Sequence, residues 1–218
     1  MKEEDLFVCI PTDQFTSKLN LMLQELDKGK FKIVIIKTKV FKNYQDAENL
    51  ECLSETLNIY SWWNLGIEFV LSQGGRYVAI LNDDIEFSQD QLGKMLNELR
   101  LSNAILCHSR NSNGGRWGHA FILDLKYGVK PDDKFTWWYG DDDLKIRAKK
   151  RGKVIESSVE IKHLTPNLRT SNSELLQLLA KQDEKLFYQR YPFYRVRDLL
   201  VKLTPHAIWK LRKVFLQT

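Results

Sequence analysis

The sequence predicts an α/β fold: a mostly parallel sheet flanked by helices, followed by a helical extension. Three observations predict it. Short apolar runs rich in β-branched residues alternate with segments of helical spacing, and such alternation requires crossovers that make neighbouring strands parallel. Beyond about residue 165 only helical spacing remains. The 218 residues, 43% hydrophobic and 28% charged, suffice for one buried core plus an appendage, and they exclude a disordered, collagenous or disulfide-stapled chain.

Leu6-Phe-Val-Cys-Ile10, closed by Pro11-Thr12, reads as the first strand, and Phe31-Lys-Ile-Val-Ile-Ile36 as the second. Between them, residues 17–26 have helical spacing with Leu19, Leu23 and Leu26 on one face and a stop at Lys28-Gly29. Residues 61–72 form a second helix through Trp62, Leu65, Phe69 and Val70, which Gly74-Gly75 ends before the strand Tyr77-Val-Ala-Ile-Leu81. A helix at about 88–99 leads to Ala104-Ile-Leu-Cys107, and Ala120-Phe-Ile-Leu123 is a further strand. Gly140 precedes a helix over 141–151 that stops at Gly152, and residues 153–162 read as strand. Ser171-Asn-Ser-Glu174 has capping-box spacing before a long helix carrying Leu175, Leu176, Leu178, Leu179, Leu186 and Phe187. Two more helices follow Tyr191-Pro192, the second opened by Thr204-Pro205. The expected division is a body over residues 1–165 and a helical extension over 166–218.

The net charge of +5 is confined to the chain's end. From Arg195 to Thr218 six basic residues less Asp198 give +5, so residues 1–194 balance to zero. A basic tail on a neutral body points to an anionic partner, either DNA or an anionic membrane surface, or else to a solvated helix face. Ile208, Leu211, Val214 and Phe215 form an apolar stripe beside Lys210, Arg212 and Lys213, which suits an interfacial helix or simple packing on the body. No apolar run is long enough for a membrane span, and the acidic start at Met1 to Asp5 is unlike a signal or transit peptide. The expected location is cytoplasmic, peripheral at a membrane surface where the tail meets one. Cys9, Cys52 and Cys107 are widely spaced, without a C-x-x-C pair, and read as small buried hydrophobes.

In open α/β sheets ligands bind beyond the carboxyl ends of the strands. Pro11-Thr12 follows the first strand, Asn82-Asp83-Asp84 the third, and His163 the strand near 153–162. Two adjacent carboxylates at a strand end repel one another. A hard divalent cation such as Mn²⁺ or Mg²⁺ offsets that repulsion, with a nucleotide diphosphate completing its shell; a polar turn capping the helix near Ser88 is the plainer reading. The second cluster is Trp137-Trp138-Tyr139 followed by Asp141, Asp142 and Asp143 at a helix start. The helix dipole favours acids there. Three in a row beside flat rings also suit an acceptor site, with a carboxylate as general base and Trp137 and Trp138 stacking on a sugar or a nucleobase. The glycine-rich run from Asn111 to Gly118 could approach a donor sugar, with Arg116 near phosphate; it lacks Walker spacing. His108 and His119 are too few for a zinc cluster to be favoured.

Taken in order, Pro11-Thr12, Asn64-Leu-Gly66, Leu81-Asn-Asp-Asp-Ile85 and Gly140-Asp-Asp-Asp-Leu144, followed by Arg147 and Gly152, resemble GT-A-fold glycosyltransferases of the family-2 type over about residues 6–165. The resemblance implies a GT-A (Rossmann-like) catalytic domain with a mixed, mostly parallel sheet. It implies metal-dependent, inverting transfer of a sugar from a nucleotide-diphosphate sugar to an acceptor hydroxyl on a glycan, a lipid-linked glycan or a hydroxylated base in DNA. In that family the last Asp of a D-x-D or N-x-D motif binds the metal; by position this is Asp84, with Asn82 and Asp83 at the donor site alongside Pro11, Thr12 and Asn64. A histidine after the final strand often completes the metal site, which corresponds to His163. The E-D-x-D-L motif supplies the base from its first Asp, here Asp141, with Gly140 where the family often has Glu; a one-residue shift makes Asp142 the base instead. Many members carry acids after the second strand that read the nucleobase, whereas this chain has Lys37-Thr38, so uridine recognition does not follow. A nucleotidyltransferase, which would release pyrophosphate, and a noncatalytic nucleic-acid module using the basic tail are the competing readings.

Overall fold

The computed structural model describes residues 6–13, 17–28, 31–38, 47–52, 58–111, 117–164 and 172–203. Eight strands form one sheet in the order β3-β2-β1-β4-β7-β6-β8-β5. They are β1 (Leu6–Thr12), β2 (Lys32–Thr38), β3 (Glu48–Cys52), β4 (Tyr77–Leu81), β5 (Ile85–Glu86), β6 (Leu106–Asn111), β7 (Ala120–Asp124) and β8 (Val154–His163). The helices are α1 (Ser17–Lys28), α2 (Ile59–Ser72), α3 (Gln89–Ser102), α4 (Gly140–Arg151), α5 (Glu174–Arg190) and α6 (Pro192–Leu203).

β1 pairs in parallel with β2 and β4, β2 with β3, and β6 with β8, while β7 runs antiparallel between β4 and β6. The sheet is therefore mixed and mostly parallel, as the sequence predicts. Every residue of β1 and β4 is buried because both faces of these strands are covered, which is why they read as continuous apolar runs. Leu6, Val8 and Ile10 face the layer built by α1 and α3; Phe7 and Cys9 face the opposite layer with α2 and α4. Cys9 and Cys107 are buried free thiols, and burial pushes the Cys107 pKa up to about 12 and that of Cys9 higher still. No helix among the described residues is long and apolar enough to cross a membrane.

Some elements differ from expectation. β3 and β5 went unread. The N-cap of α5 is Ser173, whose side chain accepts the Leu176 N–H, rather than Ser171, which lies outside the described residues together with the proposed helix after Thr204. Leu175 and Leu178 of the expected apolar face are 57% and 53% exposed, and the buried residues of α5 are Leu176, Asp183 and Phe187. Phe187 packs in the same apolar layer as α2 and α4, so α5 lies against the body.

Candidate active site

The carboxyl ends of β1 and β4 lie side by side, and the groups just beyond them meet. Thr12 Oγ1 donates to Asp83 Oδ2 at 2.8 Å, with both residues buried. The chain then turns through Asp83 and Asp84 into β5, whose two residues pair antiparallel with the end of β8 so that Ile85 faces His163. That short pairing brings Asp84 Oδ1 to 2.9 Å from His163 Nε2, and Leu164 N–H closes the register on Asp84 O. Both side chains stay reachable, His163 at 16% exposure and Asp84 at 20%.

A carboxylate oxygen and an imidazole nitrogen are both ligand types that a divalent ion such as Mn²⁺ would take, and in this structure the two are hydrogen-bonded directly to each other. Among the described residues no cluster of three or more His, Cys, Asp or Glu forms a complete cage. A site of two protein ligands leaves coordination positions for a substrate's oxygens.

The second acidic cluster opens α4, and its three carboxylates do different things. Asp143 is fully buried and bonded to Arg147 Nε (2.7 Å), Arg190 (2.7 Å) and the Tyr191 hydroxyl (2.8 Å). Burial opposes the Arg190 charge, but Asp143 and Asp132 outweigh it and raise the guanidinium's pKa. Asp143 is thus an anchor between α4 and α5. Asp142 is half-buried and accepts a long bond, 3.4 Å, from Trp117 Nε1. Asp141 has its carboxylate against the backbone of Gly118, where an added Cβ would stand 2.4 Å from Oδ2. Burial, and next the Asp141 charge, push the Tyr60 hydroxyl well above the ordinary phenol range.

Gly140, where the family pattern often has Glu, has a physical cause here. Its N–H donates to the Tyr60 hydroxyl at 2.9 Å, and a Cβ would meet the Tyr60 ring at 2.4 Å. Tyr139 before it takes the left-handed conformation, φ 63°, which turns the chain sharply into α4.

Trp117, Gly118 and His119 connect the two clusters. Trp117 reaches Asp142 and Gly118 abuts Asp141. The His119 ring stacks on His163 with centroids 5.3 Å apart, and its carbonyl accepts the Asn82 N–H. Its Nε2 lies 3.1 Å from Ser109 Oγ and 3.2 Å from Ile161 O, which fixes the ring. Lys145 Nζ sits 2.8 Å from His108 Nε2 and 5.2 Å from the centroid of the Trp117 ring. Burial and then Lys145 lower the His108 pKa to about 4, so its imidazole is neutral at pH 7; burial and Lys149 lower that of Lys145.

Trp137 and Trp138 precede this cluster, half-buried. Asn64 is elsewhere: its Nδ2 donates to Pro131 O, and it lines a cleft of about 620 Å³ with Ser61, Glu68, Lys130 and Arg147 that none of Thr12, Asp83, Asp84, Asp141 and His163 lines. Pro11 lies within β1, one residue before its end, opposite Ile36, and Arg116 lies outside the described residues, as do Lys210, Arg212 and Lys213 of the basic tail. Sequence reasoning passed over Tyr60, took in Trp117 only as part of the glycine-rich run from Asn111 to Gly118, and set His119, the next residue, aside.

No family model and no curated protein matches the sequence. Solved structures do match in fold. S. aureus TarS 1–349 superposes with a TM-score of 0.56 at 11% identity, over 80% of this chain and 65% of that one. Its complex with UDP-GlcNAc gives 0.56 at 11%, over 74% and 61%. The mannosyltransferase PcManGT from Pyrobaculum calidifontis, in complex with GDP-Man and Mn²⁺, gives 0.56 at 10%, over 75% and 58%. The chain thus spans roughly three fifths of the length of each. These likenesses show the GT-A fold.

Proposed function

We propose that the chain is a metal-dependent, inverting glycosyltransferase that moves a sugar from a nucleotide-diphosphate sugar to an acceptor hydroxyl. The observation that carries this reading is the run Trp117-Gly118-His119, whose consecutive residues touch Asp142, Asp141 and His163 and so tie the two acidic groups to one short segment. Two acidic groups with separate tasks on one sugar are what such a transfer needs, one at the leaving diphosphate and one at the incoming hydroxyl. The neighbours crystallised with UDP-GlcNAc, or with GDP-Man and Mn²⁺, support the donor class.

Asp84 and His163 would hold Mn²⁺ or Mg²⁺, which supplies Lewis-acid neutralisation of the charge that grows on the departing diphosphate. Thr12 fixes Asp83, and with Asn82 these residues line the donor side. Asp141 takes the acceptor's hydroxyl proton as that oxygen attacks the anomeric carbon from the face opposite the leaving group. The bond from the anomeric carbon to the diphosphate oxygen breaks and a nucleoside diphosphate departs. Asp141 ranks above Asp142 because it holds the place of the first Asp when the motif is aligned on Asp143-Leu144 and Arg147. Trp137 and Trp138 offer flat rings for the acceptor. The test incubates the protein with nucleotide sugars, Mn²⁺ and candidate acceptor hydroxyls, and measures released nucleoside diphosphate for wild type, Asp141→Asn and Asp142→Asn. Release lost in Asp141→Asn alone supports the assignment; pyrophosphate release from a nucleoside triphosphate would favour a nucleotidyltransferase.

A further inference from the structure

Asp183 is 2% exposed in the middle of α5, and among the described residues no Lys or Arg forms an ion pair with it. Burying a carboxylate is costly unless donors surround it. Here the donors are the backbone of one loop. Thr136 N–H reaches both carboxylate oxygens at 3.0 and 3.1 Å and Thr136 Oγ1 donates at 2.9 Å. Trp137 N–H follows at 2.7 Å and Trp138 N–H at 2.9 Å. Three consecutive N–H groups thus converge on one anion. From the other side, Ile59 N–H at the start of α2 donates to Thr136 O. The next residues are Tyr139 in its left-handed turn, Gly140 against Tyr60, and Asp141. Tyr139 also donates to Glu184 on α5.

We infer that Asp183 is a positioning residue for the acceptor half of the reaction: α5 presents a carboxylate that gathers the N–H groups of residues 136–138, and so sets the Trp137 and Trp138 rings and the direction in which Asp141 enters the site. This rests on the glycosyltransferase reading. Under it, the acceptor seat is assembled only with α5 docked, while the donor side at Thr12, Asp83, Asp84 and His163 is built by the sheet alone.

The test compares wild type with Asp183→Asn, which keeps the shape but turns an amide toward the same N–H groups, and with Asp183→Glu, which restores the charge. Hydrogen exchange should show faster exchange at residues 136–138 in Asp183→Asn with the strands unchanged. In kinetics, transfer should fall roughly ten- to a hundredfold, the cost of a misplaced reacting group, with the donor KM and slow donor hydrolysis by water retained and with partial recovery in Asp183→Glu. Unchanged protection at 136–138, or transfer and hydrolysis falling together in step with stability, would overturn the inference. A wild-type protein that consumes no nucleotide sugar would instead remove the glycosyltransferase reading, and the exchange measurement would still decide whether Asp183 orders the loop.

Discussion

The His119 ring stacks on that of His163, centroids 5.3 Å apart and planes 12° from parallel, while its Nε2 is held between Ser109 Oγ and Ile161 O. His119 therefore backs the imidazole that faces Asp84. Groups that orient a metal ligand commonly matter about 10- to 100-fold to metal affinity. His119→Ala should weaken Mn²⁺-dependent nucleotide binding by about that factor, as titration calorimetry on the folded variant would register, and should also lower stability because the ring is buried and hydrogen-bonded.

Gly140→Ala drives a methyl group into the Tyr60 ring at a contact of 2.4 Å. Overpacking of this kind costs about 1–3 kcal/mol. Urea unfolding should show that loss, and an alanine variant with the wild-type midpoint would contradict the packing described for the start of α4.

Asp143 and Asp141 should separate stability from chemistry. Removing the Asp143 charge takes a carboxylate from Arg147 and leaves Arg190 with Asp132 alone, so Asp143→Asn should lose about 1–3 kcal/mol of unfolding free energy. Asp141→Asn should lose less stability than Asp143→Asn, which gives up two arginine contacts, while abolishing transfer.

His108 gives the fold a defined acid sensitivity. Its folded pKa, about 4, lies below the ordinary value of 6.5, so the unfolded chain binds the proton more readily. The stabilisation is therefore complete above pH 6.5 and is lost as the pH falls toward 4, amounting to about 3 kcal/mol at most. Unfolding free energies between pH 7 and 4 should fall more steeply for wild type than for His108→Phe, which has no proton to take up at that position.

Much of the fold was legible because its signals are local. β1 and β4 are buried on both faces and read as unbroken apolar runs. β3, Glu48-Asn-Leu-Glu-Cys52, lies at the sheet edge and keeps a polar sequence, and β5 is two residues long, so neither left a pattern to read. Yet β5 is what brings Asp84 to His163. The acidic clusters stood out in the sequence, but their division of labour did not, because Arg190 and Tyr191, which claim Asp143, lie 47 and 48 residues away. Gly140 looked like a departure from a motif until Tyr60, 80 residues upstream, was seen to donate the room and the hydrogen-bond acceptor. Asp183 could have been found: it falls seven residues after Leu176 and four before Phe187, on the buried stripe of α5, where a carboxylate needs partners.

The central claim is a metal-dependent donor site at Asp84 and His163, and thermal unfolding of the purified protein with UDP, GDP, dTDP or CMP, each with and without Mn²⁺, tests it most directly. Ligands that bind only the folded state raise the melting temperature. The account predicts a rise for at least one nucleotide that requires Mn²⁺ and disappears in both Asp84→Ala and His163→Ala. No rise with any nucleotide, or a rise that survives both substitutions, would contradict it.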